Sequence, residues 1–334
     1  MEKEQLGQSN LQVCRVGLGT WAMGGWMWGG ADEKEAVAAI RYALDIGINL
    51  VDTAPVYGFG ISETIVGRAV KESGRREHTI LATKAGLEWD GEERIWRNAS
   101  SKRLEKELED SLRRLQTDYI DLYQIHWPDP ETPIDETAET LNRFYEEGKI
   151  RAIGVSNFDA DQMETWLKAA PLHSNQPCLN LFQDALKDTV FPYCDQNQIG
   201  TLTWGTLAHG LLTGKFDESS SFPPDDLRHH HPMFQKKRFQ QYLTAVSKLK
   251  DMAREKGKTV LQLSIRWVLD QPGVTSALWG ARRPEQLKEL KGVFGWKLSA
   301  ADLKQIDSIV RTAVTDPLLQ ESLQGPPAKS TVKR

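Results

Sequence analysis

The sequence predicts a single (β/α)8 barrel, and three observations predict it. Short apolar runs bounded by turn residues alternate with helical-period stripes eight times between Val13 and Trp279, which is the pattern of a parallel sheet with crossover helices. No composition shift divides the 334-residue chain, so residues 1–334 are read as one domain. No GxGxxG opens a helix after any strand, which argues against an open doubly wound sheet and for a closed barrel.

Each element has its own local reason. Residues 3–14 alternate weakly around Gly7 and Asn10, so residues 1–14 are expected to hold an N-terminal β-hairpin. The first barrel strand is expected from Val13 to Thr20. Asp32 followed by Glu35 resembles a capping box, and Val37, Ile40 and Leu44 then recur at helical spacing until Gly47. The second strand runs over 48–53, a helix over 62–71 and the third strand over 79–84. Leu104, Leu108, Leu112 and Leu115 stripe a helix before the fourth strand, 119–126. Ala138, Leu141 and Tyr145 stripe the next, before the fifth strand at 151–155. A helix over 163–169 precedes a short sixth strand expected at 179–182. A helix follows over 190–197, with Pro192 in its first turn, and the seventh strand over 200–207. Residues 239–269 hold two helices, 274–279 the eighth strand, and 286–291 and 300–312 the closing helices. Residues 216–235 are long and polar, and are expected to form a lid loop after strand seven. Residues 321–334 are expected to be a flexible tail.

Composition excludes several classes of function. The formal charge is −4, with 26% charged and 40% hydrophobic residues, so neither nucleic acid nor an anionic membrane surface is the expected partner. The apolar runs are too short to span a bilayer. MEKEQLGQSN has no apolar signal-peptide core, and Cys14, Cys178 and Cys194 are far apart with no CxxC pair. A cytoplasmic protein without disulfides or a zinc site is therefore expected. The run His229 to His231 does not change the expectation of no metal, because three adjacent side chains do not converge readily on one ion.

Barrel chemistry sits at the C-terminal strand ends. Asp52 ends the second strand, Lys84 the third and His126 the fourth. Period-two alternation puts Asp52 on one face with Leu50, Lys84 with Ala82 and Ile80, and His126 with Gln124 and Leu122. Tyr57 follows on a loop broken by Pro55 and Gly58. An ammonium beside a phenol favours the phenolate, so Lys84 is expected to lower the Tyr57 pKa, with Asp52 aiming the lysine. His126 supplies a hydrogen bond to a substrate oxygen. This set suits protonation of an oxyanion as a carbonyl is reduced, with Tyr57 as general acid. Side chains carry no hydride, so a nicotinamide cofactor is required. Trp21, Trp26, Trp28, Trp89 and Trp127 fall on mouth loops and favour an apolar carbonyl pocket.

The chain resembles the aldo-keto reductases, and most closely the bacterial general-stress-protein type. The resemblance is carried by LGTWAMGG (18–25), VDTAPVYG (51–58), ATKAG (82–86), DLYQIHWPD (121–129), GVSNF (154–158), GLLTGK (210–215) and WGARRPEQL (279–287). It implies a catalytic tetrad of Asp52, Tyr57, Lys84 and His126, with NADPH/NADP+ as cofactor and a small carbonyl compound as substrate. It puts Ser156, Asn157 and Gln176 on the nicotinamide carboxamide, and Trp204 against the ring where a tyrosine is more usual. Gly205, Thr206, Leu207, Ala208, His209 and Lys215 are implied at the pyrophosphate, with Arg228 a phosphate contact. Gly280, Ala281, Arg282 and Gln286 are implied around the adenosine, and Thr20, Trp21 and Asp52 on the approach to the nicotinamide. Leu179 and Leu290 stand where many members carry a tyrosine and an adenine-contacting asparagine. The same family includes potassium-channel β subunits, so a cofactor-bound regulatory module is the alternative.

Overall fold

The computed structural model describes residues 1–318 and 325–332. Its centre is a closed barrel of eight parallel strands, as the sequence predicts. Ahead of it, β1 (Lys3–Gln5) and β2 (Gln12–Cys14) form the expected antiparallel hairpin. The chain then runs β3 (Val16–Gly19), α1 (Glu33–Asp45), β4 (Leu50–Asp52), α2 (Ile61–Ser73) and β5 (Ile80–Ala85). A second hairpin, β6 (Leu87–Trp89) and β7 (Ile95–Arg97), leads to α3 (Ser101–Leu115). There follow β8 (Leu122–Ile125), α4 (Ile134–Glu146), β9 (Ile153–Ser156), α5 (Ala160–Leu167), β10 (Ser174–Gln176), α6 (Val190–Gln196) and β11 (Gly200–Thr203). Helices α7 (Lys236–Glu255) and α8 (Val260–Leu269), strand β12 (Ser276–Gly280) and α9 (Ala300–Ala313) complete it. The ring closes where Ala277 to Gly280 pair with Val16 to Gly19.

The helices form where capping and periodicity coincide. Asp32 accepts from the amides of Lys34 and Glu35 and so satisfies free donors at the start of α1. Leu104, Leu108 and Leu115 bury one stripe of α3 against the barrel. Inside the ring, Leu50, Ile80, Ala82, Leu122, Ala152, Leu202 and Leu278 point inward at the lower levels, and Leu6 and Val13 of the hairpin close them from below. The hairpin therefore plugs that end of the barrel. No helix among the described residues is long and apolar enough to cross a membrane.

Three expectations are corrected. The sixth barrel strand is β10, Ser174–Gln176, and not residues 179–182. An apolar scan passes over it because all three of its residues are polar; their side chains serve the barrel interior and the α5 loop. Leu179, Leu181 and Phe182 are buried in the main core beyond the strand, which accounts for the leucine at 179. Residues 286–291 form no continuous helix but parts of two short helical turns, Pro284–Leu287 and Leu290–Val293, with Leu290 buried.

The third correction concerns the tail. Residues 325–332 lie against β7: the Pro327 carbonyl accepts from the Arg97 amide at 2.9 Å, and Ala328 pairs with Arg97. Lys329 bridges to Glu88 at 2.9 Å and Ser330 bonds to Glu131. Gly325 sits on the Trp127 indole so closely that a Cβ there would lie 2.5 Å from the ring. A free sheet edge and an exposed indole thus acquire a partner. The rest of the expected tail, 321–324 and 333–334, lies outside the described residues.

The loop 216–235 is polar by count but anchored by aromatics. Phe216, Phe222 and Phe234 meet edge to face with centroids 5.1–6.0 Å apart. The Leu227 amide donates to Met27, and Asp226 pairs with Trp28, so the loop after β11 is joined to the loop after β3 across the barrel mouth. The three consecutive histidines serve different ends. His229 lies within hydrogen-bond distance of the Phe222 carbonyl (2.8 Å), the His230 ring meets His229 edge-on, and His231 faces His209 at 4.6 Å.

Candidate active site

The end of β4 presents Asp52, and the end of β5 presents Lys84 beside it. The Lys84 ammonium donates to Asp52 Oδ1 (2.6 Å), the Thr53 carbonyl (3.0 Å) and Tyr57 Oη (3.3 Å). All three of its hydrogens are thereby used. Because the Tyr57 oxygen accepts from Lys84, its own O–H is free to point at a third group. The His126 ring follows the end of β8 and stands edge-on to Tyr57, centroids 5.8 Å apart. The structure therefore brings together the four residues expected from the sequence. Lys84 is 1% exposed and Asp52 3%, so the pair is shielded from solvent.

Burial decides the protonation states. Loss of solvent pushes the Tyr57 phenol above its ordinary pKa, and the opposing pull of the Lys84 charge does not cancel it. The expectation that Lys84 makes Tyr57 more acidic than a free phenol is therefore corrected in its net direction. Lysine offsets part of the burial cost and stays ready to stabilise the phenolate. Burial disfavours the Lys84 ammonium, but Asp52 and Tyr57 outweigh it and hold the charge. Burial, aided by the Lys84 charge, pushes His126 well below the ordinary imidazole value, so it is neutral and keeps one N–H to donate.

Two buried amides complete the layer. Gln124 and Gln176 both donate to Asp52 Oδ2, at 3.2 and 2.9 Å, and Gln176 also donates to Gln124 Oε1 at 3.2 Å. Gln176 is one of the expected cofactor residues. Gln124 is not, although a polar residue at an inward position of the otherwise apolar run LYQI is a signal that sequence reading could use. Ser156 Oγ donates to the Gln176 carbonyl (2.8 Å), and Asn157, in the left-handed region at φ 63°, donates to the His126 carbonyl (3.0 Å). Trp204 Nε1 donates to Asn157 Oδ1 at 3.1 Å. Ser156, Asn157, Gln176 and Trp204 follow one another at the ends of β9, β10 and β11, on one arc of the mouth beside Asp52 and His126. On the opposite arc Trp21 stacks on Tyr57 with centroids 6.0 Å apart. Thr20 is fully buried, and its hydroxyl ties Asp52 to Ser62.

An outer wall is aromatic. Phe59 lies between Trp26 and Trp89, and Trp127 packs in the same cluster with Tyr57. The hairpin β6–β7 delivers Trp89 to it, and Arg103 lies 5.5 Å over that indole.

Cations gather on the far side of the mouth. Burial pushes the Lys215 ammonium below its usual pKa, and the charges of Arg228, Arg282 and Arg283 add to the shift. Asp226 is the carboxylate that faces them among the described residues, and it is bonded to Arg228 at 2.5–2.8 Å. Arg282 donates to the carbonyls of Trp28 and Gly30 (3.0 and 3.2 Å), which ties the loop after β12 to the loop after β3. The Gln286 side chain accepts from the amides of Arg282 and Arg283. Thr206 donates to the Leu278 carbonyl, and Gly205, Ala208 and His209 adopt positive φ, so the loop after β11 folds tightly back on the barrel rim. Leu207 and Ala281 are buried in that rim, and no atom lies within 4 Å of where a Cβ at Gly280 would stand. His209, packed against Trp21, Trp28 and His231, is pushed down to about 3 chiefly by burial. The result is a cluster of four cations, Lys215, Arg228, Arg282 and Arg283, that Asp226 offsets only in part, beside a rim of backbone turns.

Residues 15–311 match the aldo/keto reductase family. The chain is 51% identical over 333 residues, 99% of its own length and the whole of the relative, to the aldo-keto reductase YhdN of Bacillus subtilis. A solved glycerol dehydrogenase from Gluconobacter oxydans superposes with a TM-score of 0.87 at 48% identity, covering 95% of this chain and 97% of that one. An aldo/keto reductase of Klebsiella pneumoniae, solved in complex with NADP and acetate, superposes at 0.71 with 29% identity, covering 93% and 96% of the two chains. On this similarity along nearly its entire length, the chain belongs to the aldo/keto reductase family.

Proposed function

We propose that this protein is an NADPH-dependent reductase of aldehydes and ketones in which Tyr57 is the general acid. The observation that carries the reading is the Lys84 ammonium, buried and held between Asp52 and the Tyr57 oxygen. Tyr57 gives its proton to the carbonyl oxygen, and Lys84 balances the charge left on the phenolate. Neutral His126 donates its N–H to the same oxygen and orients the substrate. When bound, a nicotinamide cofactor supplies the hydride that side chains lack.

The residues present fit such a cofactor. Ser156, Asn157 and Gln176 would hold the carboxamide, and the Trp204 ring would cover the nicotinamide. The turn from Gly205 to His209, with Lys215, would hold the pyrophosphate. The open position at Gly280, with Ala281, Arg282 and Gln286, would take the adenosine, and the excess charge of Arg228 and Arg282 suits phosphate.

Absorbance-monitored oxidation of NADPH against a panel of aldehydes, quinones and sugars tests this. Turnover with at least one carbonyl compound is expected. Tight NADPH binding with no turnover on any would favour a regulatory module of the potassium-channel β type.

A pH profile follows from the directions of the two shifts. The reactive form needs Tyr57 protonated and His126 neutral. Tyr57 is shifted upward, so its acid form persists past the ordinary phenol value of about 10; His126 is shifted downward, so it is neutral above the ordinary imidazole value of about 6.5. The kcat for reduction is therefore expected to be flat between about pH 6.5 and 9, measured with saturating substrates. A titration step near the ordinary imidazole value would show that His126 is not held neutral.

Cofactor choice is expected to depend on Arg282. A charge-assisted contact to the 2′-phosphate is worth about 1.5–3 kcal/mol, so Arg282→Ala should weaken NADPH about ten- to hundredfold and leave NADH little changed. Arg282 also holds the Trp28 and Gly30 carbonyls. Equal weakening of both cofactors would mean that it acts through that loop, and Arg228 would be the next residue to replace.

A further inference from the structure

We propose that Gln124, buried inside the barrel and in hydrogen-bond contact with both Asp52 and Gln176, is a positioning residue that fixes which end of the Gln176 amide faces the barrel mouth. An amide nitrogen carries two hydrogens. Gln176 Nε2 spends one on Asp52 Oδ2 and the other on Gln124 Oε1. Half a turn of that amide would set its oxygen against two acceptor oxygens, Asp52 Oδ2 and Gln124 Oε1, and take from Gln124 Oε1 its donor. Gln124 Nε2 in turn donates to Asp52 Oδ2, so its own orientation is dictated by the carboxylate. Asp52 therefore orients Gln176 twice, directly and through Gln124, and Gln124 fixes the second of the two amide hydrogens.

The barrel is shaped for this bridge. Strands β8, β9 and β10 are neighbours, and Gln124 lies level with Gly154 in the register. A Cβ at position 154 would lie 2.7 Å from Gln124 Cγ and 2.5 Å from Ser174 Oγ. The missing side chain of β9 therefore leaves the space through which Gln124 crosses from β8 to β10. Gln124 and Gln176 are 0% and 2% exposed, so water does not substitute freely for either partner. With its nitrogen committed below, Gln176 presents only its oxygen, an acceptor, to whatever occupies the mouth.

This rests on the reading, made above, that Gln176 meets the cofactor's carboxamide. An acceptor there selects a ligand that has an N–H to give. NADP+ carries that N–H; its 3-acetylpyridine analogue has a methyl ketone in its place and lacks it. The experiment compares the affinities of these two dinucleotides, read by quenching of tryptophan emission without turnover, in the native protein, Gln124→Leu and Gln176→Leu. The native protein should prefer NADP+, and Gln176→Leu should lose the preference. Gln124→Leu should reduce it about three- to tenfold, the worth of one neutral hydrogen bond. A change of the ratio is the informative readout, since simple loosening of the barrel weakens both ligands alike. Should Gln124→Leu not fold, Gln124→Met, unbranched and of similar volume, replaces it.

Equal weakening of both ligands in the Gln124 variant, or an unchanged ratio while Gln176→Leu loses it, would reduce Gln124 to a packing role and overturn the proposal. An unchanged ratio in Gln176→Leu would overturn it through its premise while leaving cofactor binding intact. Failure of the native protein to bind either dinucleotide would instead refute the proposed function.

Discussion

Tyr57→Phe is expected to slow carbonyl reduction by roughly 10²–10⁴-fold, the range for loss of a general acid. The substitution keeps the ring that stacks on Trp21 and packs beside His126, and removes only the oxygen that accepts from Lys84. Dinucleotide affinity should therefore change little, and the loss should appear in kcat. Steady-state kinetics with a reactive aldehyde, alongside a fluorescence titration with NADPH, separate the two effects. Near-normal kcat in this variant would remove Tyr57 from the proton path.

Lys84→Met is expected to have the largest effect on stability. The Lys84–Asp52 pair is almost fully buried, with side chains 1% and 4% exposed. Removing one partner leaves an uncompensated carboxylate in the barrel, which costs about 3–5 kcal/mol. Urea unfolding should show this as a lowered midpoint with little change in slope. Adding Asp52→Asn to the same variant removes the stranded charge and keeps an oxygen for the amides of Gln124 and Gln176. Much of the lost stability should return in the double variant, but the activity should not, because the phenolate has no cation beside it. An unchanged midpoint in Lys84→Met would mean that the pair is not an ionic contact in the folded protein.

The two variants probe different links of one arrangement, and the links differ in how visible they are in the sequence. Asp52, Lys84 and His126 are legible because each ends an apolar run whose alternation is unambiguous, and a barrel puts strand ends at one mouth. Tyr57 is legible from the loop-breaking Pro55 and Gly58 around it. The sixth strand is not legible: Ser174, Asn175 and Gln176 are all polar, because here the barrel interior is itself a polar site. Apolar periodicity locates a strand only where its neighbours are oil-like. The hairpin β6–β7 and the tail segment laid along it are hidden for a related reason. Each is marginal alone and is stabilised by the other through Arg97, Glu88 and Trp127, which are far from the tail in sequence.

Alternation of short strands and amphipathic helices, by itself, determined the barrel and set Asp52, Lys84 and His126 at the strand ends of one mouth. Those follow from local periodicity, which every stretch of chain carries within itself. Only the tertiary structure decided which polar atoms meet. It set Gln124 and Gln176 on one oxygen of Asp52, tied Arg282 to the carbonyls of Trp28 and Gly30, and buried Tyr57 deeply enough to raise its pKa against the pull of Lys84. Hydrogen bonds and proton affinities depend on distances of a few tenths of an ångström and on the exclusion of water, and both arise only when segments distant in sequence close around one another.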